Sequence, residues 1–167
     1  TDFTGKNLLR ADNGDDEMHG GEGDDALTAL IGRDYLNGYE GNDILRAGRG
    51  RDIIIGGAGE DLMYGGFGHN IFKDSLDGEV DRLFFKSDQF AYNYFYDKAE
   101  NNSDGQKLDI IESLDSFDRI IIQGIETSQI AVTEAFNIAT PSGSRSGIGI
   151  FADGEMEAIY AGRNMNT

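Results

Sequence analysis

Residues 2–73 read as eight consecutive nine-residue repeats in one unbroken register, and this periodicity constrains the fold more than anything else in the chain. In order they are DFTGKNLLR, ADNGDDEMH, GGEGDDALT, ALIGRDYLN, GYEGNDILR, AGRGRDIII, GGAGEDLMY and GGFGHNIFK. The fourth position is always glycine: Gly5, Gly14, Gly23, Gly32, Gly41, Gly50, Gly59 and Gly68. The sixth is Asp16, Asp25, Asp34, Asp43, Asp52 or Asp61, with Asn7 and Asn70 in the outer two repeats. The eighth is a large apolar residue throughout: Leu9, Met18, Leu27, Leu36, Leu45, Ile54, Met63 and Phe72. Glycine reaches positive φ without penalty, so the chain can turn sharply there and aim carbonyls inward. An aspartate two residues later adds carboxylate oxygens to that turn. The apolar eighth position then lies on a short strand that faces a core.

These nonapeptides resemble the G-G-x-G-x-D-x-U-x repeat of RTX proteins. The resemblance implies an all-β fold, a right-handed parallel β-roll of nonapeptide repeats followed by a β-rich C-terminal cap. Each nonapeptide is then half a coil, and two repeats make one circuit. The resemblance also implies calcium, a hard cation that takes six to eight oxygen ligands. Each ion is expected between a turn and the one eighteen residues on. The implied pairs are Asn7 with Asp25, Asp16 with Asp34, Asp25 with Asp43, Asp34 with Asp52, Asp43 with Asp61, and Asp52 with Asn70. Carbonyls of Gly14, Gly23, Gly32, Gly41, Gly50 and Gly59 are expected to complete them, for about four to six bound ions. The pairs containing an asparagine carry a neutral ligand and are expected to bind more weakly. Position-one and position-two glycines are replaced at Asp2-Phe3, Ala11-Asp12 and Ala29-Leu30, and singly at Tyr39 and Ala47. The turns at 2–5, 11–14 and 29–32 therefore match the repeat least well. A metal-free stack is the alternative, but it leaves rows of aspartate in close register with no counterion.

Composition agrees with a cation partner. The net charge is −17 over 167 residues, which argues against direct nucleic-acid binding. There is no cysteine, so stability outside the cell must come from something other than disulfides, and bound metal is the obvious source. No apolar run reaches transmembrane length, and no signal peptide is visible. The chain begins inside a repeat and is expected to be part of a longer protein.

Composition shifts after residue 73. Sixteen of the 24 glycines lie at or before that point. Residues 1–73 are expected to form the roll, and 74–167 a flanking cap continuous with it. Strands are expected at 80–86, 92–96, 107–111, 119–123, 129–133, 147–152 and 157–161, with a short helical turn near 112–117. The stretch LDIIESLDSFDRIIIQGI resembles the segment that often ends an RTX roll, with Asp109 and Asp118 in its aspartate positions. A cap is physically reasonable, because an open roll exposes unpaired backbone and apolar core. The aromatics Phe72, Phe84, Phe85, Phe90, Tyr92, Tyr94, Phe95 and Tyr96 could seal that end. The sharper alternative is a carbohydrate-stacking platform around Tyr92–Tyr96.

Catalytic signatures are lacking. His19 and His69 sit in no H-E-x-x-H pattern and are expected to be solvated turn or edge residues. The nearest approach to G-x-S-x-G places Arg145 where the nucleophile belongs. Residues 100–112 offer only a poor EF-hand loop around Asp104-Gly105, since Ile111 falls where the bidentate acid should be. The expected role is a non-catalytic, secreted calcium-binding module that folds on binding calcium outside the cell. The resemblance implies export by a type I secretion system. Its location would be extracellular or at a bacterial cell surface, with polysaccharide or surface attachment as a further role. The alternative is the C-terminal module of an extracellular enzyme (an alginate epimerase, lipase or protease) or of a pore-forming cytolysin.

Overall fold

Alternate residues of a strand face the same side, so the sixth and eighth positions of one repeat and the first of the next share an inward face. Burial obeys that rule. Asp25, Leu27 and Ala29 are buried in succession, as are Asp43, Leu45 and Ala47, while their neighbours are at most half-buried. The computed structural model describes residues 4–86, 109–114, 116–123, 130–138, 145–152 and 155–160. All regular elements among the described residues are strands, and none is helical.

Two sheets face each other across this core. One contains β1 (Leu8–Arg10), β3 (Ala26–Thr28), β6 (Ile44–Gly50), β8 (Leu62–Gly68), β10 (Arg82–Lys86) and β12 (Arg119–Gln123), with the short β4 (Ile31–Gly32) also pairing with β6. The other begins with β2 (Glu17–Glu22), β5 (Tyr35–Glu40), β7 (Ile53–Ala58), β9 (Ile71–Lys73) and β11 (Asp109–Ile111). Pairing in these rows is parallel. Leu9 lies against Leu27, Leu27 against Leu45, and Leu45 against Met63. On the opposite sheet Met18, Leu36, Ile54 and Phe72 align in the same way. The chain is a β-solenoid of about 4 turns, and each circuit uses two nonapeptides.

The core is a double column of eighth-position side chains. Leu27, Leu36, Leu45, Ile54, Met63 and Phe72 are fully buried, and Leu83 and Ile111 extend the columns past the repeats. Full burial of each such side chain stabilises by roughly 1.5–3 kcal/mol. At the N-terminal end the column opens, and Leu9 is only partly buried.

Beyond residue 73 the roll continues before it changes character. β10 adds to β8, β12 to β10, and β11 to β9, all parallel. β15 (Glu155–Tyr160) then pairs parallel with β11, and β14 (Arg145–Ala152) and β13 (Ile130–Ile138) add antiparallel strands outside it. The expected strands at 80–86, 107–111, 119–123, 129–133, 147–152 and 157–161 each overlap one of these, and β13 and β14 run longer than expected. No helix forms among the described residues of 112–117; Leu114 packs against the core from irregular backbone instead. The strand expected at 92–96 and the loop around Asp104-Gly105 lie outside the described residues. Of the aromatic set, Phe72 is core. Phe84 stacks on Tyr64 at 4.2 Å between ring centroids, on the outer face of its sheet.

Candidate metal centre

The turns on each side of the roll stack directly, and the sixth-position side chains join them. In every case one side-chain oxygen accepts the backbone N–H of the sixth residue in the preceding coil. On one side Asn7 N–H donates to Asp25 Oδ1 at 2.6 Å, Asp25 to Asp43 at 2.7 Å, and Asp43 to Asp61 at 2.8 Å. On the other, Asp16 donates to Asp34 and Asp34 to Asp52, both at 2.9 Å, and Asp52 donates to Asn70 Oδ1 at 3.3 Å. All six expected pairs are therefore brought together, including those in the turns that match the repeat least well. Ala29 and Ala47 fit in the first position because their methyls are small enough to be buried there. Leu30 and Ile31 are left about half exposed.

The ladder runs further than the nonapeptides. Asp61 N–H donates to Asp81 Oδ1 at 2.7 Å, Asn70 N–H to Asp109 Oδ1 at 2.7 Å, and Asp81 N–H to Asp118 Oδ1 at 3.2 Å. The sequence pointed to Asp109 and Asp118 but not to Asp81. Its signal was present: Asp81-Arg82-Leu83 repeats the acidic–x–apolar spacing of Asp61-Leu62-Met63. The turn before it is two residues longer than a nonapeptide turn, which moves it out of register.

The second oxygen of each carboxylate carries the chemistry. Oδ2 of Asp16, Asp25, Asp34, Asp43, Asp52 and Asp61 is buried with no hydrogen-bond partner among the described residues. A row of buried, unpartnered anionic oxygens is unfavourable unless a cation meets it. Space is reserved beside these atoms. A methyl group on Gly20 would overlap Asp25 Oδ2 and the Gly38 carbonyl oxygen, and one on Gly38 would overlap Asp43 Oδ2 and the Gly56 carbonyl oxygen. Neither Gly20, Gly38 nor Gly56 has positive φ, so glycine is needed there for room rather than for conformation. The carbonyl oxygens of Gly38 and Gly56 thus lie beside the carboxylates, a placement that repeat spacing did not point to. The fourth-position residues do the turning. Gly41 and Gly59 have φ of 118° and 123°, and the carbonyls of Gly32 and Gly50 accept N–H groups from Arg51 and His69. Gly14 and Gly23 also have positive φ.

Carboxylate and carbonyl oxygens with no nitrogen or sulfur donor among them fit a hard cation such as calcium. Asn70 departs from the set, since its Nδ2 is buried without a partner and an amide nitrogen is no calcium ligand.

Burial raises the carboxyl pKa values of Asp34, Asp43, Asp52 and Asp61, and the aspartate one coil earlier raises them further, while the backbone N–H bond works the other way. Asp43 is pushed up to about 6, Asp52 to about 7 and Asp61 to about 8, and Asp34 is also raised. Without a counter-cation the folded ladder resists ionisation.

His69 departs from expectation. It is 2% exposed, whereas Asp15, Asp24, Arg33, Asn42, Arg51 and Glu60, at the same repeat position, lie at the surface. It sits in the last nonapeptide turn on its side, where the next ladder member lies 39 residues on rather than 18. His19 stays at the surface, 2.9 Å from Glu17.

Residues 2–36 and 37–72 match the RTX calcium-binding nonapeptide repeat family in four copies, so this segment is an RTX repeat array. No curated protein and no solved structure shows significant similarity to the chain. No helix among the described residues is long and apolar enough to cross a membrane.

Proposed function

We propose that the chain is the calcium-dependent folding module of a secreted protein, and that the carboxylates of Asp16, Asp25, Asp34, Asp43, Asp52 and Asp61 are its principal ligands. Asn7 takes part in a weaker site at the N-terminal end, and the Asp52–Asn70 rung is weaker because Asn70 carries no charge. Fourth-position glycines shape each turn, and carbonyl oxygens complete the coordination. The observation that carries this reading is the row of buried Oδ2 atoms with no partner among the described residues. Bound calcium would supply positive charge between successive turns. The aspartates hold adjacent coils by their Oδ1 bonds, the first-position glycines leave the room, and the apolar columns close behind them. Without that charge the ladder repels itself, and the glycine-rich chain gains much entropy by unfolding.

This supports secretion in an unfolded state from a low-calcium interior through a type I channel, with folding once outside, where affinities of about 10⁻⁴–10⁻³ M suffice. The module is non-catalytic in this reading and stabilises or attaches a larger protein at the cell surface or on polysaccharide. The second reading, a C-terminal module of an extracellular enzyme or cytolysin, shares the same folding chemistry. The test is far-UV circular dichroism during a calcium titration, with magnesium as control. A cooperative gain of β signal with calcium alone is expected. A fully folded spectrum in excess chelator at neutral pH would overturn the proposal.

A further inference from the structure

The turn that follows the last nonapeptide on the Asp25–Asp43–Asp61 side differs from those before it. In the earlier coils the first-position slot beside each ladder carboxylate is empty of side chain, because Gly20, Gly38 and Gly56 occupy it. One coil further on, eighteen residues after Gly56, the slot holds Asp74. Both carboxylate oxygens of Asp74 are buried and have no hydrogen-bond partner among the described residues. They meet two side chains that are fully buried, Asp61 and Asp81. Each of these has committed Oδ1 to a backbone N–H and has an unpartnered, buried Oδ2. One ligand oxygen from each of the three residues lies within 4.8 Å of the others. The backbone beneath is fixed, for Ser113 Oγ accepts from Asp74 N–H and donates to its carbonyl, both at 2.8 Å.

We infer that Asp61, Asp74 and Asp81 form a three-carboxylate calcium site, at the junction where the nonapeptide repeats end, that binds more tightly than any two-carboxylate site in the stack. The inference rests on the calcium-roll reading and adds to it a distinct site with its own composition. Asp74 and Asp81 both lie past residue 72, where the matched repeats end. Each preceding pair on this side brings two aspartates to the cation, or one aspartate and Asn7. Calcium affinity is set largely by the number of charged ligands, and this site brings three carboxylates together where the preceding pairs bring two. Among the described residues no basic side chain compensates the three buried carboxylates, since Arg82, adjacent to Asp81 in the chain, turns outward to Glu60.

The test uses the full chain. Calcium binding is measured by titration calorimetry for the wild type, Asp74→Gly and Asp74→Asn, with calcium-saturated circular dichroism as the check on folding. Asp74→Gly installs the residue that three earlier coils already carry at this place, so the saturated fold is expected to persist. The expected result is a tight class of one ion in the wild type that weakens at least tenfold in both variants, with the weaker class unchanged. A second measurement needs no variant. One equivalent of paramagnetic ytterbium, added to the calcium-loaded wild type, should replace calcium first where the most carboxylates meet and broaden amide signals of residues 74–82 before those of 20–50. Unchanged tight binding in both folded variants, or broadening spread evenly along the roll, would overturn the site. A wild type that binds no calcium at all would instead overturn the calcium-roll reading on which it rests.

Discussion

If burial of unneutralised carboxylates is what opposes the metal-free roll, protons should partly substitute for calcium. Asp43, Asp52 and Asp61 have pKa values of about 6, 7 and 8 in the folded state, against 3.8 for an unperturbed aspartate. Each holds its proton in the roll at a pH where the unfolded chain has lost it. Their penalty is therefore absent below about pH 4, grows as pH rises through 6 and 7, and levels off near 8. Between pH 8 and pH 5 the three together change stability by about 8 kcal/mol at 1.36 kcal/mol per pKa unit. Halving this for screening and relaxation leaves about 4 kcal/mol, a large part of the 5–15 kcal/mol that typically holds a domain together. The assay is circular dichroism and urea denaturation in excess chelator at pH 8 and pH 5, the lower value being kept above the isoelectric point of about 4.2. Coil-like spectra are expected at pH 8, with β signal and a measurable urea midpoint at pH 5. Calcium at pH 8 should restore the same β signal. Equal stability at the two pH values without calcium would refute the idea that ladder ionisation controls folding.

Two further perturbations probe the room and the strain in the turns. Gly38→Ala places a methyl group against Asp43 Oδ2 and the Gly56 carbonyl without any change in φ preference. Overpacking of this kind costs about 1–3 kcal/mol, so the calcium midpoint for folding should rise at least severalfold, and an unchanged midpoint would show that the slot is not needed. Tyr39 is the only described non-glycine residue with positive φ, at 82°, where the corresponding residues Gly21 and Gly57 are glycines. Tyr39→Gly should therefore stabilise the calcium-loaded roll by up to about 1 kcal/mol, or about 2–4 °C in Tm; a lower Tm would mean that the ring contact with His19 outweighs the backbone strain.

What the sequence made legible is what it repeats. Eight copies of the Gly–x–Asp/Asn–x–apolar spacing specify the coil length, the inward face and the stacked pairs, because one register error would turn Leu45 or Ile54 outward. Asp81 was hidden by two extra residues, and Asp74 by standing just past the last repeat, at a place that is glycine in three earlier coils. The first-position glycines looked like conformational glycines until their φ values and the nearby oxygens showed that they provide room. His69 failed for a related reason, since its turn is followed in the ladder by Asp109, 39 residues on, and not by another nonapeptide. The three inward positions also explain why core and metal chemistry cannot be separated in this fold. The sixth, eighth and first positions share one face. Each core residue from Leu27 to Met63 in the two columns therefore has a buried carboxylate two residues before it and a glycine or alanine two after. The apolar column cannot close without bringing its carboxylates out of water, and the carboxylates cannot be buried as anions without a cation. On the calcium reading proposed above, strand geometry then couples folding to calcium binding coil by coil, and the tightest ion should be held where Asp74 adds a third carboxylate to the stack.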